Sequence, residues 1–153
     1  MDLTAIPGVS VGTVRVFLGE LGPDLSRFPT AGALASWLGL CPANEITGGK
    51  ILKSSTRRGV NRLTAALRMA AESLCRDKSY LGQFYRRMRA RVGGPEAITA
   101  AAHKMARILY HLITHREEYD ESRFMEIEQR NLERLKLRLD RQARRLGYAL
   151  VQA

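Results

Sequence analysis

"GVNRLTAALRMAAESLCRD", residues 59–77, decides the class of fold. Leu63, Leu67, Ala70, Ala71 and Leu74 recur at three- and four-residue spacing, which lines them up as one stripe of an α-helix. A half-buried strand would alternate apolar and polar residues at every second position, and no convincing stretch of that period occurs along the chain. One apolar stripe has to be covered by others, and the flanking sequence supplies them.

Upstream, "IPGVSVGTVRVFLGELG" reads as a turn at Pro7–Gly8 followed by a helix. That helix presents Val14, Phe17, Leu18 and Leu21 and stops near Gly22–Pro23. "FPTAGALASWLGLCP" is a shorter helix with Thr30 as its N-cap, Leu34, Trp37 and Leu38 on its buried face and Gly39 as a left-handed exit. Downstream, "SYLGQFYRRMRARV" sets Leu81, Phe84, Tyr85 and Met88 on one side and arginines on the other. "GGPEAITAAAHKMARILYHLIT" opens with Pro95 in a favourable first-turn position and buries Ile98, Ala102, Met105, Leu109 and Leu112. The fold class is therefore mainly α.

The last segment has another character. It is a long charged helix, acidic in its first third (Glu117, Glu118, Asp120, Glu121, Glu126, Glu128) and basic in its last (Arg134, Lys136, Arg138, Arg141, Arg144, Arg145). Both ends complement the helix dipole. Leu132, Leu135, Leu139 and Leu146 form a narrow seam that packs on the domain or on another copy of itself, as a coiled coil or oligomerisation element. The division expected is 1–116 for the compact domain and 117–153 for the charged helix.

Composition narrows the function. At 153 residues the chain has the length of one domain, and a formal net charge of +10 points to a polyanionic partner or an acidic membrane surface. The charge is localised: residues 46–92 hold twelve Lys/Arg against Glu72 and Asp77. No signal peptide or spanning helix is evident, since Pro7–Gly8 break the apolar N-terminus and charges interrupt residues 98–113. Cys41 and Cys75 make neither a disulfide framework nor a metal pair and read as reduced small core residues of a cytosolic protein.

Four groups of residues bear on chemistry. Ile6-Pro7-Gly8-Val9-Ser10 looks like the loop of a helix-hairpin-helix unit, in which Gly8 lets backbone N–H groups approach a phosphate; Ser10 stands where a second glycine is usual. The alternative is a tight turn. The second group is cationic: Lys50, Lys53, Arg57, Arg58 and Arg62 around glycines, then Arg68, then Arg86, Arg87, Arg89 and Arg91. Such residues neutralise phosphates and give salt-dependent binding; a solvated face is the bland reading. Tyr80 and Tyr85 would stack on exposed bases or, at their helical spacing, fill the core. The third group, His103, His111 and His115, lacks the further partner that zinc requires, and no paired carboxylates suggest a two-metal nuclease.

The fourth group is the hydroxyls of "EITGGKILKSSTRRGVNR", residues 45–62, which reads as a basic Gly-rich loop. Thr47 precedes Gly48-Gly49-Lys50, with Ser54, Ser55 and Thr56 beyond. An alcohol that attacks a phosphodiester needs backbone freedom and cations for the non-bridging oxygens. This stretch offers both, and a plain polar loop is the alternative.

At this point a resemblance adds to the residues. "IPGVSVGTVRVFLGELGPDLSRFPTAGALASWLGLCP", "NEITGGK", "STRRGVNRLTAALRMAAESL" and "LGQFYRRMRARVGGPEAITAAAHKMARILYHLI" resemble the C-terminal transposase domain of the Piv/MooV-related insertion-sequence transposases, the bridge-RNA-guided recombinases. The resemblance runs from about Ile6 to Arg116 and implies a two-part enzyme. An N-terminal RuvC-like domain supplies a DEDD set of acids that binds a divalent metal such as Mg; the C-terminal domain supplies a serine for strand cleavage, in an assembly with a structured guide RNA. That serine commonly precedes Gly-Gly-Lys, a position held here by Thr47.

Two departures follow. The acidic domain is not within these 153 residues, so the expectation is a piece of a larger enzyme or a truncated relative, with no metal or other cofactor in this chain. Threonine keeps the hydroxyl but adds a β-methyl that restricts χ1 and crowds in-line attack. A slower nucleophile, an inactivated site, or Ser54 or Ser55 in its place all follow from that change. The expected function is the DNA-binding catalytic domain of an insertion-sequence transposase, not competent alone, with DNA, a guide RNA, the RuvC-like domain and a second copy as partners. The alternatives are a non-catalytic basic helical module that binds DNA or RNA and acts through dimerisation, and a structural oligomerisation domain.

Overall fold

The computed structural model describes residues 1–47, 50–56, 61–149 and 151. It is mainly helical and falls into two compact units, Met1–Tyr119 and Asp120–Ala153. The first unit holds a 3-10 turn at Leu3–Ala5, helices α1 (Val11–Leu21), α2 (Ala31–Trp37), α3 (Arg62–Ser73), α4 (Tyr80–Val92) and α5 (Gly94–His115), and two strands, β1 (Pro42–Thr47) and β2 (Lys50–Thr56). The second holds α6 (Glu121–Arg145).

Helix starts follow local chemistry. Ser10, Thr30, Asn61, Ser79 and Asp120 each cap a helix by accepting a hydrogen bond from a backbone N–H two or three residues on. Gly22, Gly39, Gly93 and Gly147 take positive φ at the exits. α5 is the centre of the first unit and packs against α2, α3 and α4, while α1 packs on α3. Ala97, Ala101, Ala102 and Ala106 are wholly buried along α5, and their small side chains let the neighbouring helices approach closely. Around them sit Phe17, Leu34, Leu38, Leu63, Leu67, Leu74, Leu81, Met105 and Leu109.

One close approach depends on a missing side chain. Gly8 has φ +82°, and a Cβ there would lie 2.6 Å from the Ala70 carbonyl oxygen of α3. The turn before α1 is thereby held against the end of α3. Tyr110 ties α5 to the segment after α1 by donating to the Phe28 carbonyl at 2.9 Å.

The structure corrects several readings. The stretch read as a basic loop forms an antiparallel hairpin, β1 against β2. Its strands carry too few apolar residues to show alternation, and they are defined by their backbone pairing. Leu18 and Trp37 are exposed by 46% and 45%, so neither is a core residue. Trp37 instead covers Phe28, their rings 5.6 Å apart, with the Arg27 guanidinium over both at 4.8 and 5.2 Å. Tyr80 and Tyr85 are buried, so of their two readings the structure supports the core and not base stacking. Ile98 is only half-buried. Cys41 and Cys75 are free thiols, half-buried rather than core.

Candidate nucleic-acid interface

The hairpin decides where the hydroxyls stand. Thr47 pairs with Lys50 at its end, with residues 48 and 49 between them in sequence. Two glycines joining paired strands is a recognised hairpin signal, here "GG" within "ITGGKI". Thr47 is exposed. The pairing continues through Ile46↔Ile51 and Glu45↔Lys53, and the shift between them leaves Leu52 unpaired as a bulge. Ser54 and Ser55 lie opposite Asn44 and Ala43. At the rise of a strand they are displaced from Thr47 by roughly 10 Å along the hairpin. Of the hydroxyls weighed, Thr47 is therefore the one in register with Lys50, while Ser54 and Ser55 belong to its other end.

The remaining candidates are spread over several elements. Gly48, Gly49, Arg57 and Arg58 lie outside the described residues. Lys53 sits in β2, and Arg62 opens α3, where its Nε is 3.5 Å from a Glu20 carboxylate oxygen of α1. With its side chain 88% exposed, that pair contributes little to stability. Arg68 is half-buried, and its Nε is buried without a hydrogen-bond partner among the described residues. An unsatisfied buried donor of this kind is costly and gains from any acceptor that reaches it.

Arg86, Arg87, Arg89 and Arg91 are exposed on α4, a helix separate from the hairpin. Arg86 also does structural duty: its Nη1 donates to the carbonyls of Cys75, at 3.4 Å, and Asp77. Arg87 lies 5.9 Å from the Phe84 ring centroid. Gly8 and Ser10 flank the start of α1, and Ser10 Oγ accepts from the Thr13 N–H at 3.2 Å, so the residue in the second-glycine position serves as the helix cap.

One cation escapes the sequence reading. Lys104 on α5 is half-buried, donates to the Tyr80 hydroxyl, and lies 4.6 and 4.3 Å from the ring centroids of Tyr80 and Phe84. Burial, and then the charges of Arg87 and Arg107, push its amine down to about 8. Nothing local in the sequence pairs α5 Lys104 with aromatic residues twenty and more positions earlier; only the packing of α4 on α5 does so.

Among the described residues no three His, Cys, Asp or Glu side chains gather to hold a metal ion. His111 and His115 are adjacent, ring centroids 4.2 Å apart, but His111 faces Glu117 at 3.5 Å and His115 Nδ1 contacts the His111 carbonyl. Among the described residues, too, no helix is long and apolar enough to cross a membrane.

Residues 2–86, which span α1 to α3, the hairpin and the first half of α4, match the family described as the IS116/IS110/IS902 family of transposases. The chain belongs to that family. A similar protein is the insertion element IS110 uncharacterized 43.6 kDa protein of Streptomyces coelicolor, 39% identical over 90 residues. That alignment takes in 58% of this chain and 22% of the relative, so the matched part spans about a fifth of the relative's length. No solved structure matches it.

Proposed function

We propose that this chain is the DNA-binding catalytic part of an insertion-sequence transposase, with Thr47 in the position of the nucleophile. The observation that carries the reading is the hairpin register, which sets exposed Thr47 opposite Lys50 across two glycines. A phosphodiester at this end of the hairpin would meet a hydroxyl and a cation at once. The Thr47 oxygen would bond to phosphorus, the bond from phosphorus to the deoxyribose oxygen would break, the hydroxyl proton would pass to a base outside this chain, and the departing deoxyribose oxygen would take a proton from an acid outside it. Lys50 would offset the negative charge that builds on the non-bridging oxygens.

The acid–base set and the divalent metal are assigned to a RuvC-like domain outside these 153 residues, so this chain alone does not cleave. Arg57, Arg58, Arg62 and the α4 arginines extend the phosphate-binding surface, for DNA and for a structured guide RNA. The cytosol is the compartment this reading requires.

Binding to a DNA duplex and to a structured RNA across a salt series tests the assignment. Affinity is expected to fall steeply with salt, and Lys50→Ala/Arg57→Ala/Arg58→Ala to reduce the log–log slope by about 2–3. An unchanged slope in a folded triple variant removes the hairpin from the interface. Binding that is equally tight in Thr47→Ala, with no cleavage by any reconstituted enzyme, returns the chain to a non-catalytic nucleic-acid-binding module.

A further inference from the structure

α6 carries its apolar residues where nothing in its own unit covers them. Leu132, Leu135 and Leu139 follow at three- and four-residue steps and are exposed by 44%, 41% and 44%; Leu146, one heptad beyond Leu139, is exposed by 74%. A single helix of 25 residues is about 37 Å long and marginal in water without a partner for its apolar seam. The seam is narrow, at the 3.5-residue period of a helix that packs on one other helix.

Charge selects the partner. Residues 120–132 carry Asp120, Glu121, Glu126 and Glu128 against Arg123 and Arg130. Residues 133–145 carry Glu133 and Asp140 against Arg134, Lys136, Arg138, Arg141, Arg144 and Arg145. The two halves of the helix therefore have opposite sign. Local pairs such as Arg144–Asp140, at 3.0 Å, and Arg130–Glu126, at 3.9 Å, do not cancel this asymmetry, because the basic half has more cations than acids to receive them.

Two copies side by side in the same direction would set basic half on basic half. Two copies in opposite directions set each basic half on an acidic one, and also oppose the helix dipoles. The midpoint of α6 falls between Leu132 and Leu135, so an antiparallel pair in full overlap brings Leu132 of each copy onto Leu135 of the other.

From the exposed leucine seam and the opposite charge of its two halves, we infer that α6 pairs antiparallel with α6 of a second copy of this chain. The inference goes beyond the proposed reaction and does not depend on it, since it concerns the protein without nucleic acid.

The test is the mass of the full chain by sedimentation equilibrium, with and without Leu132→Glu/Leu139→Glu. The unaltered chain should be a dimer that dissociates on dilution, and the double variant a monomer with its helical circular dichroism from the first unit retained. Direction is read from spin labels at Arg134→Cys or Arg144→Cys in a Cys41→Ser/Cys75→Ser background. Antiparallel pairing separates the two Arg144 labels by about 30 Å along the helix axis and leaves the two Arg134 labels nearly level. Equal spacing at the two positions means a parallel pair and overturns the inference. So does a monomer at every concentration, or a dimer that survives Leu132→Glu/Leu139→Glu. Loss of duplex binding in that variant, with the unaltered chain monomeric, would assign α6 to nucleic acid instead.

Discussion

Thr64 Oγ1 donates a buried 2.7 Å hydrogen bond to the carbonyl oxygen of Leu38. The bond joins the end of α2 to the first turn of α3, and the hairpin lies between the two in sequence. Thr64 and Leu38 thus hold together the two helices that bracket β1 and β2 in sequence. Thr64→Val keeps the volume and removes the donor, leaving the Leu38 carbonyl buried without it. A loss of about 1–3 kcal/mol is expected in denaturant unfolding, with faster hydrogen exchange at the hairpin amides than in α5. Unchanged hairpin exchange would separate this bond from the strands.

Gly8 makes a second, independent claim on packing. Its φ of +82° and the 2.6 Å from a Cβ to the Ala70 oxygen leave no room for alanine, because the opposing atom is backbone. Gly8→Ala is expected to cost about 2–4 kcal/mol through strain and displacement of the turn from α3. Gly19 offers the contrast: inside α1, with nothing within 4 Å of a Cβ, Gly19→Ala should stabilise by about 0.5–1 kcal/mol. Thermal unfolding of the two variants checks both signs.

The helical scaffold is legible in the sequence because its signals are local. The cap at Thr30, and stripes such as Leu63–Leu67–Leu74, need no knowledge of distant residues. The hairpin is not legible from periodicity, since "PANEIT" and "KILKSST" are mostly polar; its signal is the Gly-Gly pair between them. Trp37 misleads for a related reason. Its helical position and size point inward, but Phe28 and Arg27, from the segment before α2, draw it onto the surface. The placement of Lys104 against Tyr80 depends on α4 packing across α5 and has no local signature.

The proposed role of Thr47 is tested by putting serine in its place. In an enzyme rebuilt with a RuvC-like domain and guide RNA, Thr47→Ser should raise cleavage on the order of tenfold, the equivalent of about 1.4 kcal/mol at the transition state. On the proposed role, Thr47→Ala should abolish cleavage and leave duplex binding unchanged, because its hydroxyl would serve the reaction alone. Lys50→Ala should lower the cleavage rate by about 100-fold or more. Cleavage retained in Thr47→Ala, and lost in Ser54→Ala or Ser55→Ala, would move the nucleophile to the other end of the hairpin.

Lys104 makes stability depend on pH in a defined window. Its folded-state value, about 8, lies below the ordinary 10.5, because burial and the Arg87 and Arg107 charges disfavour the ammonium. Between these values the unfolded chain binds more protons than the folded one, so stability rises with pH across roughly 8 to 10. Burial raises the Tyr80 hydroxyl above its usual 10, which has the opposite sign and sets in only above that window. Lys104→Met keeps a flexible apolar stem over the Tyr80 and Phe84 rings and removes the titration. Denaturant midpoints at pH 7, 8, 9 and 10 should climb more steeply for the unaltered chain than for Lys104→Met. The two proteins differ at this one side chain, so the difference between the two curves isolates Lys104. Parallel curves would mean that its amine is solvated and that α4 and α5 do not close over it.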